Sequence, residues 1–284
     1  MRYFLISFIT IVNCLFANEY DIRLAHQMPK NKTLILAIQQ QLSTKMLSRV
    51  NGQVVQTLDN EVLSTLQTQA TITKTDELGQ WTEIIIKPYS LSYVVNKVKK
   101  DFANLNELIK INRDRKKLDF TFAKKPIHDI AILKTFFKPL PMKPVSVFDS
   151  SEKVKKGAYW FPEKTLLKTF FNKKQKTMKL TDKSTVKMNF KLKDVTDKHL
   201  IVDGNCLYKG IVPADQRLHT LKENAAFSTV KINAQIPLPG SKAPFSASTL
   251  FSIAYTGELD DKNGKVDFTM THQEKQTKLV KEIE

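Results

Sequence analysis

The chain is poor in glycine, cysteine and arginine, and each shortage excludes something. Eight glycines in 284 residues leave little material for the backbone loops that cradle phosphates, and no G-x-G-x-x-G, P-loop or G-x-S-x-G occurs. The two cysteines are Cys14 and Cys206, too few for a thiolate metal site. If Cys14 leaves with the N-terminal segment, or carries a lipid, no internal disulfide is left, so stability must come from an ordinary hydrophobic core. Arginine occurs only at 2, 23, 49, 113, 115 and 217, although Lys and Arg together number 45. Lysine is a hydrated point charge, whereas arginine is the bidentate binder of phosphate. A net charge of +17 carried mainly by lysine suits a solvated surface, or one that meets acidic lipid or cell-envelope polymer. With no nucleic-acid-binding motif, no nucleic-acid partner is expected. The histidines, at 26, 128, 199, 219 and 272, form neither H-E-x-x-H nor H-x-H. No metal, no cofactor and no catalytic constellation is expected, and the chain reads as a non-enzyme.

The long hydrophobic run needed for a membrane-spanning helix is also missing. The apolar run at the N-terminus ends at Phe16, short of the roughly 20 residues a span requires. Preceded by Arg2 and followed by Ala17-Asn18-Glu19, it has the plan of a secretory signal. Residues 1–17 are therefore expected to direct export to a periplasm or to the exterior. The signal is either cleaved after Ala17 or lipidated at Cys14, where Ile-Val-Asn-Cys is similar to a lipoprotein box.

What the chain has in quantity is period-two alternation. In the first half, Leu66–Ile72 alternates, Asp76–Gln80 supplies a turn, and Trp81–Ile86 returns; Pro88 should end that strand or place it at an edge. In the second half, Val186, Met188, Phe190 and Leu192 alternate with Lys187, Asn189, Lys191 and Lys193. Turns are expected at 194–198 and at Asp203-Gly204-Asn205. Asn263-Gly264 should close a final hairpin, with Val266, Phe268 and Met270 alternating on the return. One-faced alternation implies antiparallel sheets with one wet side. Between these regions, Val98, Phe102, Leu105 and Ile109 are spaced as a helical stripe, which predicts a helix over about 96–110. Residues 116–122 read as a strand, and 127–137 fit a helix or a strand, the helix being preferred.

The expected fold is therefore α+β and mostly antiparallel β, with two sheet-forming halves and a helical, proline-rich middle. The divisions are 18–138, a proline-rich connection at 139–164, and 165–284. Within the connection, Ser150-Ser151-Glu152-Lys153 spells S-x-x-K, but it lacks the S-D-N and K-T-G companions that catalysis would need and sits among prolines. We read it as punctuation.

Two sets of residues are candidates for binding. Val186, Met188, Phe190 and Leu192 form an apolar face that would either line a ligand cavity or pack as core. Lys153, Lys155 and Lys156, beside Trp160, form a basic cluster with an aromatic that suits an anionic surface.

Pro139-Leu140-Pro141, Pro144-Val145, Val154, Gly157 and Trp160, followed by the Asp260–Val266 hairpin, resemble in their order a group of uncharacterised exported bacterial β-rich proteins. More loosely, alternating sheets with a helix on one face are similar to the lipoprotein-carrier half-barrels of the cell envelope. That likeness implies an apolar concavity for a lipid or acyl chain. The expected function is non-enzymatic binding of an apolar or anionic envelope component (lipid, lipoprotein or polymer), with peripheral membrane association. The alternative is a structural or protein-interaction module without a small ligand.

Overall fold

A computed structural model describes residues 19–22, 30–76, 81–100, 102, 106–114, 117–123, 130–137, 148–174, 178–214, 220–261 and 264–283. The expected signal and the prolines at 139, 141 and 144 lie outside the described residues.

The strands are β1 (Glu19–Tyr20), β2 (Thr33–Val50), β3 (Gln53–Thr75), β4 (Trp81–Val95), β5 (Val98–Lys100), β6 (Ile109–Arg113), β7 (Leu118–Phe122), β8 (Val154–Lys155), β9 (Tyr159–Trp160), β10 (Met178–Val195), β11 (His199–Pro213), β12 (Thr220–Pro237), β13 (Phe245–Asp261) and β14 (Gly264–Glu282). Two short helices, α1 (Ile130–Phe136) and α2 (Lys164–Lys174), complete the described elements. The fold is mostly antiparallel β, as the alternation implies.

The two strand regions do not form separate sheets. One sheet runs β7-β6-β4-β3-β2-β14-β13-β12-β11-β10-β9, with β5 beside β4, and every pairing is antiparallel. The last strand, β14, closes against the first long strand, β2, in unbroken register from Val266↔Val50 to Glu282↔Leu34. A small second sheet pairs β1 with β8.

Backbone chemistry explains several of the reversals. Asn51 and Gly52 both adopt positive φ (50° and 81°), as a two-residue hairpin twisted like its strands requires, and they join β2 to β3. Asn96 and Lys97 do the same, at 48° and 71°. This overturns the helix expected over 96–110. The turn throws the chain back as β5, and Asn96 locks it: its N–H donates to Glu61 O, and its Oδ1 accepts from Glu61 N. Val98–Lys100 and Ile109–Arg113 are then strands. The spacing of 98, 102, 105 and 109 was helical, but local turn chemistry decided the conformation.

Pro88 does not end β4. It pairs with Thr68 at a β-bulge, beyond the last β4–β6 pair at Ile86↔Ile109, where a missing N–H breaks no ladder. Nor does Asp203-Gly204-Asn205 turn; β11 runs straight through it. The glycine is there because the ring of Phe190 covers it. A Cβ at 204 would lie 2.3 Å from two atoms of that ring.

Both helices lie on one face of the sheet. The Gln40 side chain of β2 donates to Thr135 O in α1. In α2, Leu167 and Phe171 are fully buried, and Phe171 sits 5.1 Å from Tyr208 and 6.1 Å from Phe251, ring centre to ring centre. Leu34, Leu36, Ile38, Leu66, Ile84, Ile86, Ile109 and Ile111 form the first part of the core with Ile132, Leu133 and Phe136 of α1; Phe148, Trp160, Phe190, Tyr208, Val230, Phe251 and Ile253 form the second. On the opposite face of the first half, buried Glu83 receives Thr73 Oγ1 at 2.7 Å, Lys74 at 3.1 Å and Lys110 at 2.8 Å. The Lys110 bond, then those of Thr73 and Lys74, hold its pKa down to about 2.

Candidate functional site

The apolar set on β10 is core. Val186, Phe190 and Leu192 are buried, and Met188 is half-buried against them. Phe190 stacks on Phe148 at 5.7 Å and on Trp160 at 5.6 Å, ring centre to ring centre. A ligand against these four side chains would have to displace aromatic rings or helix α2. The alternation correctly marked a dry face, and the chain itself covers it.

The basic set divides. Lys153, Lys155 and Lys156 are exposed. Lys155 approaches Glu19 at 3.7 Å, and Lys156 pairs with Asp194 at 2.5 Å. Trp160 is not at the surface with them: it is 6% exposed, and its indole N–H donates to Phe148 O at 3.0 Å. Its strand neighbours alternate outward instead. Tyr159 and Phe161 are 52% and 68% exposed, and Lys191 lies 5.2 Å above the Tyr159 ring. The period of two that exposes Tyr159 is what buries Trp160.

Ser150 is no nucleophile-in-waiting. Its Oγ accepts from Ile22 N, its own N–H donates to Ile22 O, and residues 150–153 are not helical. The serine and Lys153 therefore do not share a helical turn. Among the described residues, no group of three metal-ligating side chains converges. A groove of about 340 Å³ lies between the first turn of α2 and β10, lined mainly by polar residues including Lys164, Lys168, Asp182 and Ser184. Lys168 is tied there to Thr181 O and Asp182 O, and Ser184 to Thr181 N and Gly210 O.

The open part of the covered face lies at its centre, where the two halves join. Along β14 the side chains on this face run Phe268, Met270, His272, Glu274, Gln276, Lys278 and Val280, and the four in the middle are polar and half-buried. Two of them, Glu274 and Lys278, interrupt rows that are otherwise apolar, whereas His272 and Gln276 stand beside Thr44 and Gln40. Lys278 stands in the row Leu192, Val202, Ala234, Ala247, Lys278, Ile38, Leu66, Leu91; Glu274 stands in the row Met188, Cys206, Val230, Phe251, Glu274, Leu42, Val62, Val95. His272 Nδ1 lies 2.9 Å from Thr44 Oγ1 on β2. On either side the face is packed under helices; along β14 and β2 it is a half-covered strip with polar groups inside an apolar frame.

Arg113 lies on the same face near one edge of the sheet, on β6. It follows Ile109 and Ile111 on the same face of β6, its guanidinium lies 3.6 Å from the centre of the Trp81 ring, and its Nε–H donates to Trp81 O. Burial lowers its pKa to about 10, against the opposing charge of Asp76. Lys278 is lowered to about 8, by burial first and by the Arg113 charge second. On a flat sheet these two residues would be four ladder steps apart and also offset along the strands, because the Lys278 row meets β4 at Leu91 while β6 meets it at Glu83–Ile86, too far to be felt through solvent. A curl of the sheet, which the twist of long strands favours, would bring β6 toward β14.

Lys278 is not among the site residues expected from the sequence, although a signal existed. The parity of Val266, Phe268 and Met270 carries through even-numbered positions to Lys278 and Val280. No protein-family model matches the chain, and no curated protein matches it. Among the described residues, no helix is long and apolar enough to cross a membrane.

Proposed function

We propose that the protein is a non-enzymatic, exported envelope protein that binds an apolar or anionic component of the envelope, and that the ligand lies along the central strip of the covered face. One observation carries this reading: on β14, the charged side chains of Glu274 and Lys278 stand half-buried in rows that are otherwise apolar. Burying a charge such as that of Lys278 is costly unless something pairs with it, and the strip is reached by solvent where the flanking faces are filled. The lysine surface would bring the protein to acidic envelope material, with Tyr159 and Phe161 beside Lys155, Lys156 and Lys191.

A second reading is a protein-interaction module. The filled core under α2 favours it, as does the β2–β3 hairpin, whose Val54, Val55 and Leu58 are exposed. Native mass spectrometry of the protein purified from its own cells, with solvent extraction of what it carries, tests the first reading. A discrete bound amphiphile or polymer that Leu42→Lys abolishes is the expected result. A chain that carries nothing, and instead retains a protein partner through Val54 and Val55, would replace the first reading with the second.

A further inference from the structure

The sheet has two edges, and most of the backbone groups along them are guarded. β7 is five residues long, and a short edge strand offers little to pair with. On the opposite edge, β9 pairs with Phe190 and Lys191 of β10. Further along β10, the Asn172 amide takes both backbone groups of Leu180, and the Lys168 ammonium takes Thr181 O and Asp182 O. β3 is different. It pairs with β4 only from Val62 onward. Asn96 takes both backbone groups of Glu61, so the odd-numbered residues here turn their N–H and C=O away from β2. By alternation Asp59 and Thr57 do the same. Among the described residues, no strand lies against that side of β3 between Gln53 and Glu61. A β-bulge at Val55, between the pairs Ser48↔Gln56 and Arg49↔Val54, limits the regular part to Gln56–Asn60. The stretch has no lysine and no proline, and Val54, Val55 and Leu58 are 55%, 58% and 43% exposed. An unguarded edge of this kind is a template for another strand.

We propose that this edge pairs with the same edge of a second copy, antiparallel about a two-fold axis at Leu58, so that two sheets become one. This rests on the second reading above, in which the β2–β3 hairpin is an interaction surface, and it names the occupant. The register favours a second copy. With the axis at Leu58, Thr57 of each copy stands opposite Asp59 of the other, and every outward N–H and C=O of these residues finds a partner. Leu58 meets Leu58 at the closely spaced, non-hydrogen-bonded position, in the row it shares with Met46 and Met270. Gln56 meets Asn60. Asp59, held by its own Lys45 at 3.1 Å, faces a threonine. Moving the axis to Asp59 would oppose two carboxylates, and moving it to Thr57 would engage the bulge. Charge agrees. Two molecules of net charge +17 repel, yet from Leu42 to Glu61 the basic residues, Lys45 and Arg49, are matched by Asp59 and Glu61. Two copies can therefore approach at this end. So short an edge buries less than a standard interface, and the pair is a weak one.

The test is sedimentation of the full chain from about 1 μM to about 1 mM, in about 0.15 M salt so that long-range repulsion is screened. A dimer that grows with concentration is expected. Leu58→Lys places two ammonium groups at the axis and should weaken dimerisation at least about tenfold. Leu166→Lys, on the exposed side of α2, should leave it unchanged. Equal melting temperatures of Leu58→Lys and the unaltered chain at about 1 μM, where both are monomers, show that the variant folds; if it does not fold, cysteine variants decide. Under mild oxidation Leu58→Cys should link to its copy above the background of the unaltered chain, and Thr57→Cys should not. A monomer throughout the range, or a dimer that Leu58→Lys leaves intact, overturns the proposal. Linkage through Thr57→Cys and not through Leu58→Cys overturns the register. A chain that stays monomeric but retains a different protein through Val54 and Val55 overturns the second copy while the interaction surface stands. A monomer that retains no protein overturns both.

Discussion

Replacing Gly204 with alanine places a methyl group 2.3 Å from Cδ1 and Cε1 of Phe190 and 3.2 Å from its Cγ. Real contacts do not come so close, so the ring must move. It has nowhere easy to go, because Phe148 and Trp160 flank it with ring centres 5.7 and 5.6 Å away. Trp160 is itself pinned by its bond to Phe148 O. Overpacking of this kind costs about 1–3 kcal/mol. With little room to relax, we expect about 2 kcal/mol, which for a domain of this size lowers the melting temperature by roughly 4–8 °C. The assay is thermal and urea denaturation of four proteins: unaltered, Gly204→Ala, Phe190→Leu and the double variant. Leucine is narrower than the phenyl ring, so the alanine should cost less than about 0.5 kcal/mol in its presence, a coupling of about 1.5 kcal/mol. A neutral Gly204→Ala, or strict additivity with Phe190→Leu, would refute the reasoning. The same set tests the assignment of β10 as core: Phe190→Leu should lower stability without changing ligand affinity, whereas Leu42→Lys should do the reverse.

Glu83 should shape the acid limb of stability. Its pKa is lowered, so its contribution is complete above the ordinary carboxylate value of 4.5 and is lost as pH falls from there through about 2. Discounted for the solvent-exposed ends of Lys74 and Lys110, that contribution is roughly 1–2 kcal/mol, and Glu83→Gln should flatten the pH dependence of urea unfolding between those limits. Tyr208 Oη is buried with no partner among the described residues stronger than the thiol of Cys206, so Tyr208→Phe should be neutral or stabilise by up to about 1 kcal/mol; clear destabilisation would show that the hydroxyl is satisfied. Cys206 is buried and its pKa is pushed up to about 12 by burial, so a thiol reagent should label it only at the rate of unfolding. Labelling at the rate of a free thiol would place it at the surface.

The strands were legible because alternation is a local signal written into each of them, and the face it marks must be dry. What local pattern could not carry was which strands meet. Nothing in residues 33–50 or 264–282 taken separately says that β2 and β14 pair, and that pairing turns two regions into one sheet. The helix expected over 96–110 failed for the opposite reason. Its spacing was read correctly, but Asn96 and Lys97 enter the left-handed region and reverse the chain before a helix can start. Glycine marks turns, and Asp203-Gly204-Asn205 reads as one from the sequence. In a strand it more often marks a close approach, and only the ring of Phe190 distinguishes the two. Helix α2 went unmarked although Leu167, Phe170 and Phe171 have helical spacing, because its neighbours are lysines of the kind found throughout the chain.

The binding strip was hidden by the same abundance of lysine. In most of this chain a lysine between apolar residues is the wet side of a strand, as Lys187, Lys191 and Lys193 are on β10. Lys278 has the opposite parity. Counting in steps of two from Phe268 and Met270 places it on the dry side, and counting back from Val280 gives the same answer. A lysine on the dry face contradicts the pattern that built the strand, and such contradictions concentrate where a protein does something besides fold. Glu274 and His272 break the pattern on the same strand and face, so the departure extends over one turnless segment of backbone held straight between the two cores. That placement gives a ligand a fixed rail of alternating polar groups, with a cation at one end and a carboxylate about 13 Å further on. Exchanging Lys278 and Glu274 in a double variant would reverse the rail without altering its composition. If the strip orients a charged ligand, the exchanged protein should bind the material extracted from the native protein at least about tenfold more weakly, because the cation and the carboxylate would then stand at the wrong ends. Undiminished affinity would mean that the ligand does not read the order of charges on β14.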